Sequence, residues 1–245
     1  MGTTPPEKEI ASTPADLPLP TSIRQTPPES PPGTLRPGRR ATTPTSMILK
    51  TSPFPPVSWY RLLAKTSEPV FIDATEQFRK QTMHNRYQIA TATGPQTLTI
   101  PVEGSKRGNI RDIRISGHNN WRRLHWQAIC TAYGSSPFFE YYADDIAPLF
   151  GKNDQQAADD SQCNSTLLFD YNLKTTEVIC SLLDLKAPQV ITTPVQSESN
   201  PKPTTQNQQP YYQVFQSRQG FLPDMSILDL LFNMGPESIL VLTKD

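Results

Sequence analysis

The chain has 245 residues, with 23 Lys+Arg balanced by 23 Asp+Glu, and this zero net charge argues against a basic nucleic-acid footprint. Three cysteines, Cys130, Cys163 and Cys180, make neither a disulfide framework nor a zinc spacing, so they read as reduced thiols and predict a cytosolic protein. No run of about 18 apolar residues occurs, so no membrane span is expected.

Residues 1–46 hold 11 of the 26 prolines, 13 Ser or Thr, and no aromatic residue. Such a stretch buries too little apolar area to offset chain entropy and is expected to be a disordered tail. Pro27-Pro28 and Pro31-Pro32 leave open a polyproline docking role. Patterned sequence begins at Met47, which suggests that residue as the natural start. The remainder, 47–245, is expected to form a single domain interrupted by a low-order Pro/Ser/Asn/Gln-rich loop at about 193–209.

Met47 to Lys50 reads as a first strand, and Pro53, Pro55 and Pro56 force an extended turn. A helix follows over Val57 to Lys65, then a buried strand at Val70-Phe71-Ile72. Arg86 to Ala90 and Gln96 to Val102 predict a hairpin with its turn at Gly94-Pro95, and Ile113 and Ile115 alternate as a third strand. Helical spacing begins at Asn120, a candidate N-cap, and ends at Gly134. Pro137 to Phe150 and Ser165 to Leu185 predict two more helices. Val190-Ile191 and Gln213-Val214-Phe215 suit late strands, Met225 to Met234 a helix closed by Gly235, and Pro236 opens the last one. The order predicts a mixed α+β fold, a mixed sheet with helices packed on it.

Three places carry candidate chemistry. Lys80, Gln81, Asn85 and Arg86 crowd side-chain donors before a strand; Arg86 suits bidentate capture of a carboxylate or phosphate, and a solvated loop is the plainer reading. His125 borders the apolar stripe of a helix, with Trp121 and Tyr133 nearby, where it is either a general base or a satisfied core histidine. Apolar residues wrap the helix Asp224 to Asn233, yet Ser226, Asp229 and Asn233 form one polar line along it. A buried Asp229 needs partners or a wet cavity, and Arg86 and His125 are the candidate partners. A buried network that locks the fold competes with a functional reading. Asp224 reads as an N-cap, and Asp144-Asp145 as a solvated pair. His84, His118 and His125 fit no metal spacing, and no motif marks a cofactor.

Five blocks carry a family resemblance: Ile48 to Tyr60; Val70 to Asp73 leading into Lys80 to Ile89; Leu98 to Val102; Trp121 to Trp126 through Tyr133 to Tyr142; and Ser226 to Gly235. With them the chain from Met47 onward resembles the WbqC-like family of bacteria, in its short Bacteroidetes form. It departs from the family where Lys50-Thr51 replaces a Gln-x-x-Tyr type opening. A Pro/Gln-rich loop also stands where longer members carry an extra segment. The family takes its name from a protein associated with cell-surface polysaccharide (O-antigen) gene clusters. The resemblance therefore implies a cytosolic transferase-like enzyme acting on a sugar-linked or activated acyl or amino intermediate.

In that reading His125 is the general base and Asp229 orients it. Lys80, Gln81, Asn85, Arg86, Trp121, Tyr133, Ser226 and Asn233 bind a small-molecule or sugar-linked substrate. The alternative is a non-catalytic binding or scaffold protein whose polar residues form a structural network.

Overall fold

The computed structural model describes residues 47–104, 108–151, 167–192 and 209–244. The stretches 1–46 and 193–208, expected to form a tail and a loop, lie outside the described residues, as does Cys163. The observed fold is mixed α/β, as the element order predicts.

β1 (Met47–Leu49), α1 (Val57–Lys65) and β2 (Val70–Asp73) form a β-α-β unit, and β5 (Gln189–Ile191) pairs with the other side of β2. All three strands run parallel in the order β1-β2-β5. The apolar alternation of β2 seats Val70 and Ile72 in the core. At the carboxyl ends of these strands, Lys50 bonds the Glu76 carboxylate, and His84 Nε2 lies 3.4 Å from the same oxygen. His84 Nδ1 accepts the Arg79 N–H at 3.2 Å, which closes the 79–84 loop on itself. Burial pushes the Glu76 carboxyl up, but the bonds from His84 and Lys50 outweigh it and leave the pKa lowered.

β3 (Arg86–Thr91) and β4 (Gly94–Thr99) form an antiparallel hairpin. Its turn is Ala92-Thr93, not Gly94-Pro95: Thr91 pairs with Gly94, whose carbonyl accepts the Thr91 hydroxyl at 2.7 Å. Pro95 is tolerated inside β4 because a two-stranded ribbon leaves it an edge without a ladder partner. Ile113 and Ile115 extend no strand; the bridges Val102–Ile115 and Arg114–Leu167 tie this segment to its neighbours instead.

α2 (Trp121–Tyr133) buries Trp121, Trp126 and Tyr133, α3 (Phe139–Ile146) buries Tyr142 and Ile146, and Phe150 stacks on Phe54 and meets Trp126 at a tilt. Asn120 does not cap α2 with its side chain; it adopts a left-handed conformation, φ 44, and Gly134 ends the helix as expected. α4 (Leu168–Leu182) buries Leu168, Phe169, Tyr171, Asn172 and Ile179. Gln213 to Phe215 is no strand: the Gln213 carbonyl accepts the Gln216 N–H, turning the chain into the short α5 (Gln216–Gln219).

α6 (Ile227–Met234) is the most enclosed element among the described residues, with everything from Ile227 to Asn233 buried. Burying side chains such as Leu228, Leu231 and Phe232 contributes about 1.5–3 kcal/mol each. Ser226, not Asp224, is its N-cap, accepting the Leu228 N–H at 3.3 Å. Asp224 caps a different helix: its Oδ1 accepts the Ser58 N–H of α1 at 3.0 Å. Gly235 ends α6 at φ +54, and a Cβ there would meet the Phe138 ring at 2.5 Å. α7 (Ser238–Thr243) follows and packs on α1.

Gly235→Ala combines left-handed strain with a steric clash, and is expected to cost about 2–3 kcal/mol. A fall in the urea unfolding midpoint at unchanged slope is the expected outcome.

Candidate functional site

One edge of β3 is covered by neither β4 nor another strand. Its polar groups are satisfied piecemeal. Ser226 N–H bonds the Gln88 carbonyl at 2.8 Å, and Tyr133 Oη accepts the Ala90 N–H at 3.0 Å. The Met225–Ile227 segment also pairs with the chain entering α1, through Val57 N–H to Met225 O and Ile227 N–H to Pro55 O, each 3.0 Å. Between these segments and the 81–83 loop lies a cavity of about 330 Å³. Its walls come from Ser52, Phe54 and Pro56, from Gln81, Thr82 and Met83, from Arg86, Tyr87, Gln88 and Thr97, and from Asp224 and Ser226.

Two properties set this cavity apart. Arg86 is half-buried and its Nε is shut off from solvent without a hydrogen-bond partner. A guanidinium in that state has donors to offer a ligand. In addition, six described non-glycine residues have positive φ, and three of them line this cavity: Phe54 (φ 45), Gln81 (φ 63) and Asp224 (φ 58). Such conformations cost of order 1–3 kcal/mol each and gather where geometry serves a site. Phe54 is held there by rings on two sides, Tyr87 at 5.1 Å and Phe150 at 5.7 Å.

His125 is buried and does not line the cavity, but it touches a residue that does. Its Nδ1 lies 3.1 Å from the Tyr87 hydroxyl, and its ring packs edge-on against Trp121 at 5.1 Å. Burial pushes the His125 pKa down to about 4, against the opposing pull of a hydrogen bond to the Thr99 backbone. The Tyr87 hydroxyl and His125 Nδ1 share one hydrogen bond, whose direction follows the ring tautomer. Burial drives the Tyr87 phenol well above its ordinary pKa.

Asp229 has different company from that expected. Its partners are neither Arg86 nor His125 but neutral donors: Tyr211 Oη at 2.6 Å and Gln213 Nε2 at 2.7 Å on Oδ2, and Asn233 Nδ2 at 3.3 Å on Oδ1. Tyr133 also bonds the carboxyl. Burial raises the Asp229 pKa, and the bonds from Tyr211, Gln213 and Tyr133 only partly offset this. Asn233 extends the network, its Oδ1 accepting from Ser136 Oγ at 3.1 Å and from Val214 N–H at 3.3 Å. Tyr133 links the network to β3 through Ala90.

The residues singled out from sequence therefore divide. Gln81, Arg86 and Ser226 meet at the cavity. Lys80 is exposed beside Gln81. Asn85 is buried, with Nδ2 donating to Ile100 O at 3.0 Å and Oδ1 unpartnered. Trp121 packs edge-on against both His125 and Tyr171. Tyr133, Asp229 and Asn233 share the α6 network. Asp144 and Asp145 are exposed. Sequence reasoning missed Tyr87, Asp224, Tyr211 and Gln213. Tyr87 carried a signal, standing between Arg86 and Gln88 at a strand start; Tyr211 and Gln213 alternate just after Pro210. Among the described residues, no three His, Cys, Asp or Glu side chains gather to hold a metal ion. No helix among them is long and apolar enough to cross a membrane.

Two outcomes follow. Asp229→Ala leaves Tyr211, Gln213 and Tyr133 without their acceptor, and a loss of about 3 kcal/mol or more is expected from chemical denaturation. His125 is neutral when folded down to about pH 4 but charges near 6.5 when unfolded. The unfolded chain thus binds the extra proton in that window, so this histidine's contribution is full above pH 6.5 and is lost as pH falls towards 4. Urea titrations of His125→Asn should show a shallower acid slope between those limits than the parent; an identical slope contradicts the assignment.

Comparison with known proteins agrees with the family resemblance. The model of the WbqC-like protein family matches residues 52–204, which spans the hairpin, α2 and α4. An uncharacterized protein of Mycobacterium tuberculosis, Rv1507c, is 28% identical over 221 residues, covering 78% of this chain and 94% of that protein. No solved structure matches. With a family match over more than half of its length, the chain belongs to the WbqC-like protein family.

Proposed function

We propose that the protein is a transferase-like enzyme of bacterial cell-surface polysaccharide metabolism, working in the cytoplasm on a sugar-linked or activated acyl or amino intermediate. The polysaccharide connection rests on the family resemblance. The observation that carries a ligand site is the cavity at the β3 edge, where a guanidinium with a buried, unpartnered Nε and three strained non-glycine residues converge.

In this reading Arg86 grips the anionic group of the substrate, with Gln81 and Ser226 setting its orientation. His125, neutral at pH 7, acts through Tyr87: it shares a hydrogen bond with the phenol and fixes the ring that forms part of the wall. Asp229, with Tyr133 and Asn233, holds the segment that presents Asp224 and Ser226. Asn85, Trp121 and Lys80 support the strand start and the loop around Arg86.

A second reading, a non-catalytic binding protein, is favoured by one observation: Asp229 is fully buried and its carboxylate is met entirely by protein donors. Both readings share the ligand cavity and differ in turnover.

A thermal-shift screen of the full chain against nucleotide sugars, acyl-CoAs, amino acids and nucleotides tests the site. A ligand at about 100 times its Kd adds about 2.7 kcal/mol, which is several degrees in Tm for a domain of this size. At least one class should raise Tm in the parent and not in Arg86→Ala. A shift of equal size in both proteins, or none in either, overturns the proposed site.

A further inference from the structure

We infer that His84 is a proton-operated latch on the 81–83 wall of the β3-edge cavity: as the neutral ring it holds the 79–84 loop closed, and as the imidazolium it releases it. Acid therefore weakens ligand binding at that wall. This names the regulation of the site read above and rests on that reading.

The two ring nitrogens carry different bonds. Nδ1 accepts the Arg79 N–H at 3.2 Å, and Nε2 faces Glu76 Oε1 at 3.4 Å. A nitrogen that accepts carries no proton, so the closed loop requires the tautomer with its hydrogen on Nε2. The residue is buried and fixed on its core side. Asn172 Nδ2 of α4 donates to the His84 carbonyl at 3.0 Å, and the Phe78 ring centroid lies 6.0 Å from that of the imidazole. Beyond the Nδ1 bond the chain is lightly held. Arg79, Lys80 and Gln81 are exposed. Among the described residues, the other hydrogen bonds of the loop run through Thr82. Its hydroxyl donates to the Arg79 carbonyl at 2.7 Å and accepts the His84 N–H at 3.4 Å, and its carbonyl accepts the Asn85 N–H at 3.4 Å. Gln81 holds φ 63, which its surroundings must enforce. Gln81, Thr82 and Met83 all line the cavity, so what closes the loop also sets that wall.

A second proton on the ring goes to Nδ1. It sets N–H against N–H across 3.2 Å, so the bond to Arg79 is lost and two donors face each other. Nε2 keeps its hydrogen and its carboxylate. Among the described residues, the charged side chains that act on the ring are Glu76, which favours the imidazolium, and Lys50, which bonds the same carboxylate oxygen and opposes it. α4 brings only the neutral Asn172 to this residue. Burial pushes the Glu76 carboxyl up, but the bonds from His84 and Lys50 outweigh it, so the carboxylate stays ionised where histidines titrate. The imidazolium therefore stays anchored to Glu76, and the release falls on the 79–83 side. The sign follows from linkage. Closure needs the neutral ring, so it is complete above the ring's titration and is lost as pH falls through it. A ligand that needs Gln81 in place competes with the proton.

The test is NMR of the full-length chain from about pH 8 to about pH 5, the span in which histidines titrate. The ring nitrogen signals of His84 read its tautomer and charge, and the exchange protection factor of the Arg79 amide reads the latch. At the alkaline end the ring should carry its hydrogen on Nε2. As His84 charges, Arg79 protection should fall roughly tenfold with the same midpoint, while Ile100, bonded to the Asn85 carbonyl, keeps its own. His84→Asn places an amide oxygen where Nδ1 stood, so Arg79 should stay protected throughout. His84→Leu removes the acceptor, so Arg79 should be open at every pH with Ile100 still protected. The other two histidines do not mimic the effect: burial pushes His125 down to about 4, below the scan, and His118 does not line the cavity. An Arg79 amide that ignores the charging of His84, or that opens equally in His84→Asn, overturns the latch. So does a ring that keeps one state across the span.

UDP-glucose, acetyl-CoA, glutamate and ADP, one from each class of the thermal-shift panel, are then titrated at both ends of the span. The probe whose binding is lost in Arg86→Ala should bind roughly tenfold more weakly at the acid end in the parent than in His84→Asn, a comparison that cancels the probe's own titration. Equal affinities in the two proteins overturn the regulation. If Arg79 follows His84 but no probe depends on Arg86, the latch stands and the site reading falls.

Discussion

A carboxylate buried in the first turn of an apolar helix is the constraint on which this structure depends. α6 is buried from Ile227 to Asn233, so Asp229 has no water to turn to. An ion in that place needs donors, and the chain brings four side chains to it from three separate segments: Tyr133 from α2, Tyr211 and Gln213 from the 211–213 turn, and Asn233 from α6 itself. Each donor is neutral, so the network gains no Coulomb attraction from a cation. It works as a positional lock, because the phenols and amides bond only in one arrangement. The apolar faces of α6 supply the stability that offsets the burial of the charge.

The lock has a consequence at the entry to the helix, just before it. Residues 224–227 run from the Asp224 cap of α1, through the Gln88 contact of Ser226, into α6. They are one wall of the cavity, and the strained Asp224 lies within them. Strain of this kind persists only where the surroundings over-determine it, and here they do: bonds to α1, to β3 and to the buried network act on four successive residues. The cavity's other strained residues are fixed comparably. Phe54 is set between two rings, and Gln81 sits in a loop closed by the bond from Arg79 N–H to His84. A site with walls held this firmly orients a ligand before it arrives.

Much of the scaffold was legible from period and punctuation. Val70–Ile72 reads as a buried strand, Asn120 to Gly134 as a helix, and Ser226/Asp229/Asn233 as a polar line on an apolar helix; each stands so in the fold. Gln81 and Arg86 were found in one donor-dense segment and Ser226 separately, on the polar line of α6; that the three meet at one cavity was not legible. What escaped was what depends on distant partners. Asp224 looks like a local cap, but the helix it serves lies 166 residues away in sequence. The donors of Asp229 are a tyrosine and a glutamine in a segment whose alternation imitates a strand. Gly94-Pro95 has the composition of a turn, yet the register of Arg86 with Thr99 places the reversal two residues earlier. His125 and Asp229 looked like a pair since both are buried and polar. Each satisfies itself elsewhere, with Tyr87 in one case and Tyr211 in the other.

Native-state hydrogen exchange tests the central claim, that the Asp229 network holds the cavity wall. In the parent, the amides of Val57, Ser226 and Ile227, which bond Met225, Gln88 and Pro55, should exchange as slowly as the core of α6. In Asp229→Ala these three should become faster together with the α6 amides, while Phe71 and Ile72 in the parallel sheet keep protection in proportion to whatever global stability remains. Loosening of α6 with Val57, Ser226 and Ile227 still protected would contradict it, and would mean that the wall is held by β3 and α1 without the buried carboxylate.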